Sequence, residues 1–217
     1  MKKINNTTIC CLDTKNKIEA LIALDKSIKD ISFDKYYFFT DNIDGINISK
    51  FKNLAKVNLE IFYIPTITSK SDYSKFCLVD LNKYISTNFC LTIQHDGYVI
   101  NSDYWENNFL NFDYIGAPWP NKEFKNRVGN GGFSLRSKKF LEVCTDLFKD
   151  YPDIVIRYNH PDYLNEDFLA CNVYYDEMME RGIKFADVET ASKFSIEHPI
   201  LEMKNQTFGF HGNFIRR

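Results

Sequence analysis

Phe89-Cys90-Leu91-Thr92-Ile93-Gln94-His95-Asp96-Gly97 is an apolar run that stops abruptly in polar residues. Five apolar or β-prone residues followed by a polar tip predict a buried strand whose end faces solvent. Downstream, Asp113-Tyr114-Ile115-Gly116 ends in Ala117-Pro118-Trp119-Pro120, and a glycine cluster follows at Gly129-Asn130-Gly131-Gly132. Five of the nine glycines lie between Gly97 and Gly132, so the backbone there must bend or approach something closely. The stretch from Gln94 to Phe133 therefore reads as half of a binding site.

Toward the N-terminus the pattern repeats. Thr7 to Leu12, Tyr36 to Phe39 and Leu59 to Ile64 are strand candidates. Ile18, Leu21, Ile22 and Ile28 suggest one helix between them, and Tyr73, Cys77, Leu81 and Tyr84 another. This β-α-β-β-α-β series predicts an α/β fold: a mostly parallel central sheet flanked by helices. Ligands of such sheets bind beyond the carboxyl ends of the strands, where Asp13, Thr14, Asp41 and Asp96 all fall.

Toward the C-terminus, Trp105, Phe109 and Leu110 suit a short helix, and Gly132 to Arg136 alternates like a strand. Phe140, Leu141, Cys144, Leu147 and Phe148 form a helical stripe. After the polar loop Tyr158-Asn159-His160-Pro161-Asp162, a second stripe runs through Leu164, Phe168, Cys171, Tyr175 and Met178, with Gly182 as its stop. No repeat or linker divides the chain. The expectation is one domain over 1–217, with a nucleotide-binding half at 1–96 and a sugar and acceptor half at 97–217.

Composition narrows the function. The 217 residues are 44% hydrophobic and 16% aromatic, enough for a sizeable core. With 27 basic and 29 acidic residues there is no electrostatic case for nucleic acid, although Arg216-Arg217 could form a local basic patch. The six cysteines form no C-x-x-C pair and suit reduced, buried thiols. No apolar run reaches the roughly 20 residues of a membrane span. A cytoplasmic protein is expected, at most peripherally associated with a membrane.

Four groups of residues can carry chemistry. Asp96, a carboxylate at a strand tip, can hold Mg²⁺ or Mn²⁺ against phosphate oxygens, or it is simply the Asp of an Asp-Gly turn. His211, between Phe210 and Gly212, can complete a mixed nitrogen and oxygen site or pack among aromatics. In Asn165-Glu166-Asp167 a carboxylate at a helix start suits either a general base or the helix dipole. Asn130, Gly131 and Gly132 can approach a sugar or turn a hairpin, with Arg136 following as a phosphate or sugar contact; their spacing fits neither a dinucleotide nor a phosphate loop. Trp119 is a core plug or a stacking platform for a sugar ring.

The chain resembles a family of bacterial proteins regarded as glycosyltransferases of surface-polysaccharide synthesis (domain of unknown function 5672). The resemblance rests on Gln94 to Tyr98, Trp105 to Trp119 (WENNFLNFDYIGAPW), Gly129 to Ser137 (GNGGFSLRS), Asn165-Glu166-Asp167, Lys184-Phe185-Ala186 and Phe208 to Gly212 (FGFHG). More distantly the arrangement is similar to the glycosyltransferase A (GT-A) fold, a single Rossmann-like domain. That likeness implies a nucleotide-sugar donor, a glycan or other hydroxyl acceptor, and often a divalent cation on an Asp-x-Asp motif. It implies Asp96 as the metal- or nucleotide-facing acid, His211 as a further metal ligand, Gly131 and Gly132 near the transferred sugar, and Asp167 with Glu166 as the catalytic pair of an inverting transferase. With the strand-end, stacking and loop readings above, the expected donor and sugar contacts are Asp13, Thr14, Asp41, Gln94, Asp96, Trp119, Asn130, Gly131, Gly132 and Arg136. The tip carries one carboxylate where the full motif has two. Either Asp96 with His211 suffices, or no cation is used and Arg136 or a lysine offsets the diphosphate. A sugar- or nucleotide-binding module without turnover, and a nucleotidyltransferase, are the competing expectations.

Overall fold

In the computed structural model residues 2–151, 165–198 and 206–212 are described. The expected loop at Tyr158 to Asp162, Leu164 and the Arg216-Arg217 pair lie outside them. The first half runs β1 (Lys2–Lys3), β2 (Thr7–Leu12), α1 (Lys17–Ser27), β3 (Ile31–Ser32), β4 (Lys35–Thr40), β5 (Leu59–Tyr63), α2 (Lys70–Lys75) and β6 (Phe89–Ile93). Then come β7 (Gly97–Val99), β8 (Tyr114–Ile115), β9 (Phe133–Ser137), α3 (Lys138–Leu147), α4 (Glu166–Phe168), α5 (Tyr175–Glu180), α6 (Val188–Phe194), β10 (Ser195–Ile196) and β11 (Gly209–His211).

Six strands form the main sheet in the order β5-β4-β2-β6-β9-β8. The first four are mutually parallel; β9 runs antiparallel to both β6 and β8. The fold is thus mixed α/β with a mostly parallel central sheet, as the strand pattern predicts. Every residue of β2 is buried, as expected of a parallel strand covered on both faces. Its side chains alternate between two cores. Ile9 and Cys11 join Tyr36, Phe38, Leu91 and Ile93 on the side of α1 and α6. Cys10 and Leu12 join Tyr37, Phe39 and Cys90 on the side of α3 and α5.

The expected helices differ in detail. The one through Tyr73, Cys77, Leu81 and Tyr84 is not continuous: α2 stops at Lys75 and passes into a π-helical turn at Phe76–Asp80 and a 3-10 turn at Leu81–Lys83. Ile18 and Ile22 of α1 are 54% and 41% exposed, and the buried face is Ala20, Leu21, Ala23 and Leu24. Small residues let α1 lie close to the sheet, so the larger isoleucines were a misleading marker of its inner face. The stripe after Asn165 is interrupted: α4 passes into a π-helical turn at Leu169–Val173, closed by Tyr174 N–H to Leu169 O at 2.9 Å, before α5 begins. Such turns insert a residue into the helical repeat and re-aim what precedes them.

A smaller sheet, β10-β11-β7, packs beside the main one. β11 is antiparallel to β7, placing His211 opposite Gly97. This pairing brings the C-terminal FGFHG segment to the tip of β6.

Candidate active site

Because β2, β4 and β6 are parallel, the residues following them emerge at one sheet edge. Asp13 follows β2, and its Oδ1 accepts the amides of Lys15 (2.7 Å) and Asn16 (2.6 Å). Its Oδ2 lies 3.1 Å from Nδ1 of His95, which follows β6. Thr14 Oγ1 accepts the Ile67 amide at 3.1 Å, tying the loop after β2 to the segment before α2. Between them is a cleft of about 300 Å³ lined by Asp13, Thr14, Lys15, Lys70, Gln94 and His95, among others. Asp41, at the end of β4, does not line this cleft. It pairs with Lys17 (2.5 Å) and accepts from Thr66 (2.8 Å), and these two partners lower its pKa to about 2.

Gln94 links the cleft to a second cluster. Its Oε1 lies 2.9 Å from His211 Nε2, and Asp96 Oδ1 lies 3.3 Å from the same nitrogen. Glu197 Oε1 sits 3.3 Å from His211 Nδ1. Burial by itself would lower the imidazole pKa, but the Asp96 and Glu197 carboxylates outweigh it and raise it to about 10. The same contact with His211 lowers Asp96. Asp96 Oδ1 and His211 Nδ1 are buried without an aligned hydrogen bond. Among the described residues no three His, Cys, Asp or Glu side chains converge on one cation position.

The acids after Asn165 lie on the other side of the glycine loop. Asp167 Oδ2 accepts the Gly131 amide at 3.0 Å, and Oδ1 accepts the Phe168 amide at 2.8 Å. Desolvation, with the neighbouring Glu166 charge, raises Asp167 to about 6. Glu166 is buried and accepts from Arg136 Nη2 at 3.0 Å. Arg136 is 1% exposed, so it supports the acids from below and offers nothing to the cleft surface.

The glycines explain how these groups approach. A Cβ on Gly131 would lie 1.7 Å from Glu166 Oε1, and one on Gly132 would lie 2.1 Å from His211 Nε2. Two successive glycines therefore carry the acid pair on one side and the histidine cluster on the other. Asn130 adopts a left-handed φ of 68° and accepts the Gly132 amide at 3.0 Å, holding the turn. Trp119 is 9% exposed and packs against Phe124 and Phe168; its ring leaves no room for a Cβ at Gly129. Reasoning from sequence missed His95 and Glu197. His95 was legible as part of the strand tip, whereas nothing in the sequence pairs Glu197 with His211.

Fold and edge together define the class: an α/β chain built like the GT-A glycosyltransferases. Mouse xyloside xylosyltransferase 1, in its apo form, superposes with a TM-score of 0.61 at 12% identity, covering 98% of this chain and 99% of that one. The galactosyltransferase LgtC, in complex with donor and acceptor sugar analogs, gives 0.60 at 13%, covering 94% and 86%. A glycosyltransferase involved in glycosylation of the major capsid of PBCV-1 gives 0.51 at 13%, covering 94% and 91%. Sequence comparison with curated proteins finds no match. Residues 56–211 match the family described as a protein of unknown function (DUF5672), and the chain belongs to it.

Proposed function

We propose that this protein transfers a sugar from a nucleotide-sugar donor to a hydroxyl acceptor, with inversion at the anomeric carbon. The observation that carries the reading is the Gly131-Gly132 dipeptide, which brings Asp167 and Glu166 together with His211 and Asp96 at the carboxyl edge of the sheet. The nucleotide would occupy the cleft beside Asp13 and Gln94, where Lys15 and Lys70 supply positive charge. In transfer, the bond from the anomeric carbon to the diphosphate breaks and a bond to the acceptor oxygen forms. The acceptor proton passes to the Asp167 carboxylate. A base with a pKa near 6 is ionised at neutral pH yet still takes a proton readily.

A divalent cation fits the Asp96 and His211 pair. Asp96 Oδ1 is buried, makes no aligned hydrogen bond and meets His211 Nε2 at 3.3 Å, a separation that suits neighbouring ligands of one ion. Two protein ligands leave positions for phosphate oxygens, and the ion would offset charge on the leaving diphosphate. The six free, buried cysteines support a reducing compartment, the cytoplasm. No helix among the described residues is long and apolar enough to cross a membrane. The resemblance to bacterial proteins supports a setting in surface-polysaccharide or glycoconjugate synthesis.

The test is Asp167→Asn against a panel of nucleotide sugars and acceptors. Transfer should fall at least about 100-fold while donor affinity stays within about twofold. The product anomer should be inverted. Near-parental transfer by the variant removes the base role. Donor binding without turnover, across all acceptors, replaces the enzyme with a binding module; pyrophosphate release from a nucleoside triphosphate replaces it with a nucleotidyltransferase. Retention of configuration is the second reading, favoured by one fact: both Asp167 oxygens already accept backbone amides. On that reading Asp167 fixes the glycine loop and no base is needed.

A further inference from the structure

The small sheet works as a spacer. β10 pairs in parallel with β11, so Ile196 lies beside Phe210, and Glu197 follows beside His211. On the other side β11 pairs antiparallel with β7, so His211 lies beside Gly97, directly after Asp96. The Gly212 amide donates to the Asp96 carbonyl at 3.1 Å and locks that edge. Three short strands thus set Glu197, His211 and Asp96 in one row, although they are far apart in sequence.

The imidazole has a different carboxylate at each nitrogen: Glu197 Oε1 at 3.3 Å from Nδ1 and Asp96 Oδ1 at 3.3 Å from Nε2. The second Glu197 oxygen is 3.7 Å from His198 Nε2. Gly132 closes against the ring from the side, and the His211 and Glu197 side chains are only 17% and 22% exposed. A histidine that binds a metal through one nitrogen is generally held by a carboxylate or carbonyl on the other, which fixes the tautomer and the ring's direction.

The geometry points to Glu197 as the positioning residue for a His211–cation contact: its carboxylate faces Nδ1–H and holds the ring so that Nε2, once a cation displaces its proton, faces the ion shared with Asp96. This rests on the proposed cation site. Glu197 itself is not a ligand, because the ring stands between it and Asp96.

The experiment uses Mn²⁺ alone as the probe, with binding read by water-proton relaxation and folding by thermal melting, on the parent, His211→Ala, Glu197→Gln and Glu197→Asp. His211→Ala should abolish Mn²⁺ binding. Glu197→Gln should weaken it about 10- to 100-fold. Glu197→Asp, which keeps the charge one methylene further back, should fall between parent and Gln. Parental affinity in both Glu197 variants, with binding still lost in His211→Ala, overturns the role of Glu197 and leaves the cation site standing. A parent that binds no Mn²⁺, or a His211→Ala that binds it normally, overturns the cation site and this inference with it. Should Glu197→Gln not fold, Glu197→Asp decides: weakened binding supports the role and parental binding refutes it.

Discussion

Asp167 is pulled in two directions. Burial and Glu166 oppose its charge, while the Gly131 and Phe168 amides favour it, and the first pair prevails. Two pH effects follow. If Asp167 is the base, kcat/KM should fall on the acid side with an apparent pKa near 6, and Asp167→Asn should lack that limb. The stability effect has the opposite sign. A folded pKa raised from 3.8 to about 6 means that the native state holds the proton longer, so this group's contribution is lost as pH rises between those values. Melting curves at pH 4 and pH 7 should therefore show a smaller loss on going to pH 7 for Asp167→Asn than for the parent. At Gly131 the argument is steric. A Cβ 1.7 Å from Glu166 Oε1 must displace that carboxylate and leave Arg136 buried without its partner. Gly131→Ala should cost about 3–5 kcal/mol, read as a fall in denaturation midpoint.

At the scale of the element, α6 leads straight into β10 and so delivers Glu197. Asp187 caps it: Oδ1 accepts the Thr190 amide at 2.8 Å and Oδ2 the Thr190 hydroxyl at 2.9 Å. Asp187→Ala should cost about 1 kcal/mol in chemical denaturation. The strands of the main sheet were legible because each is a compact apolar run with polar ends. Phe89–Ile93 was read to the residue, and Lys35–Thr40 within one. Helices were less legible where packing departs from simple periodicity. Ala20 and Ala23 face the core of α1, and hydropathy gives alanine little weight beside the exposed Ile18 and Ile22. The π-helical turn after Asp167 has no pattern that distinguishes it from continuous α-helix. β10, with Ser195 and Ile196, is too short to signal at all.

Across the whole molecule, residues on both faces of one sheet form two cores, and all six cysteines are buried and unpaired. A thiol reagent should label none of them in the native protein and all six in denaturant. Early labelling of any one would mark local opening. What sequence revealed of the site follows the same spatial logic. Residues at the ends of parallel strands, Asp13 and Gln94, could be brought together by topology alone. The union of Asp96 with His211 rested on ligand chemistry and resemblance, not on topology, since no local pattern announces that β11 returns to β7. Lys15 and Lys70 escaped notice because single surface lysines carry no signal until a cleft is drawn around them.

The contact of Gly131 with Glu166, and of Glu166 with Arg136, has an evolutionary consequence. A larger residue at 131 has no room while Glu166 stands there, Glu166 cannot go while Arg136 is buried, and a lysine at 136 would lose the planar group that reaches Ser134 through Nε and Glu166 through Nη2. Single steps from this arrangement all pass through a less stable protein. Across related sequences, positions 131, 136 and 166 should therefore be inherited as one block, changing together or not at all.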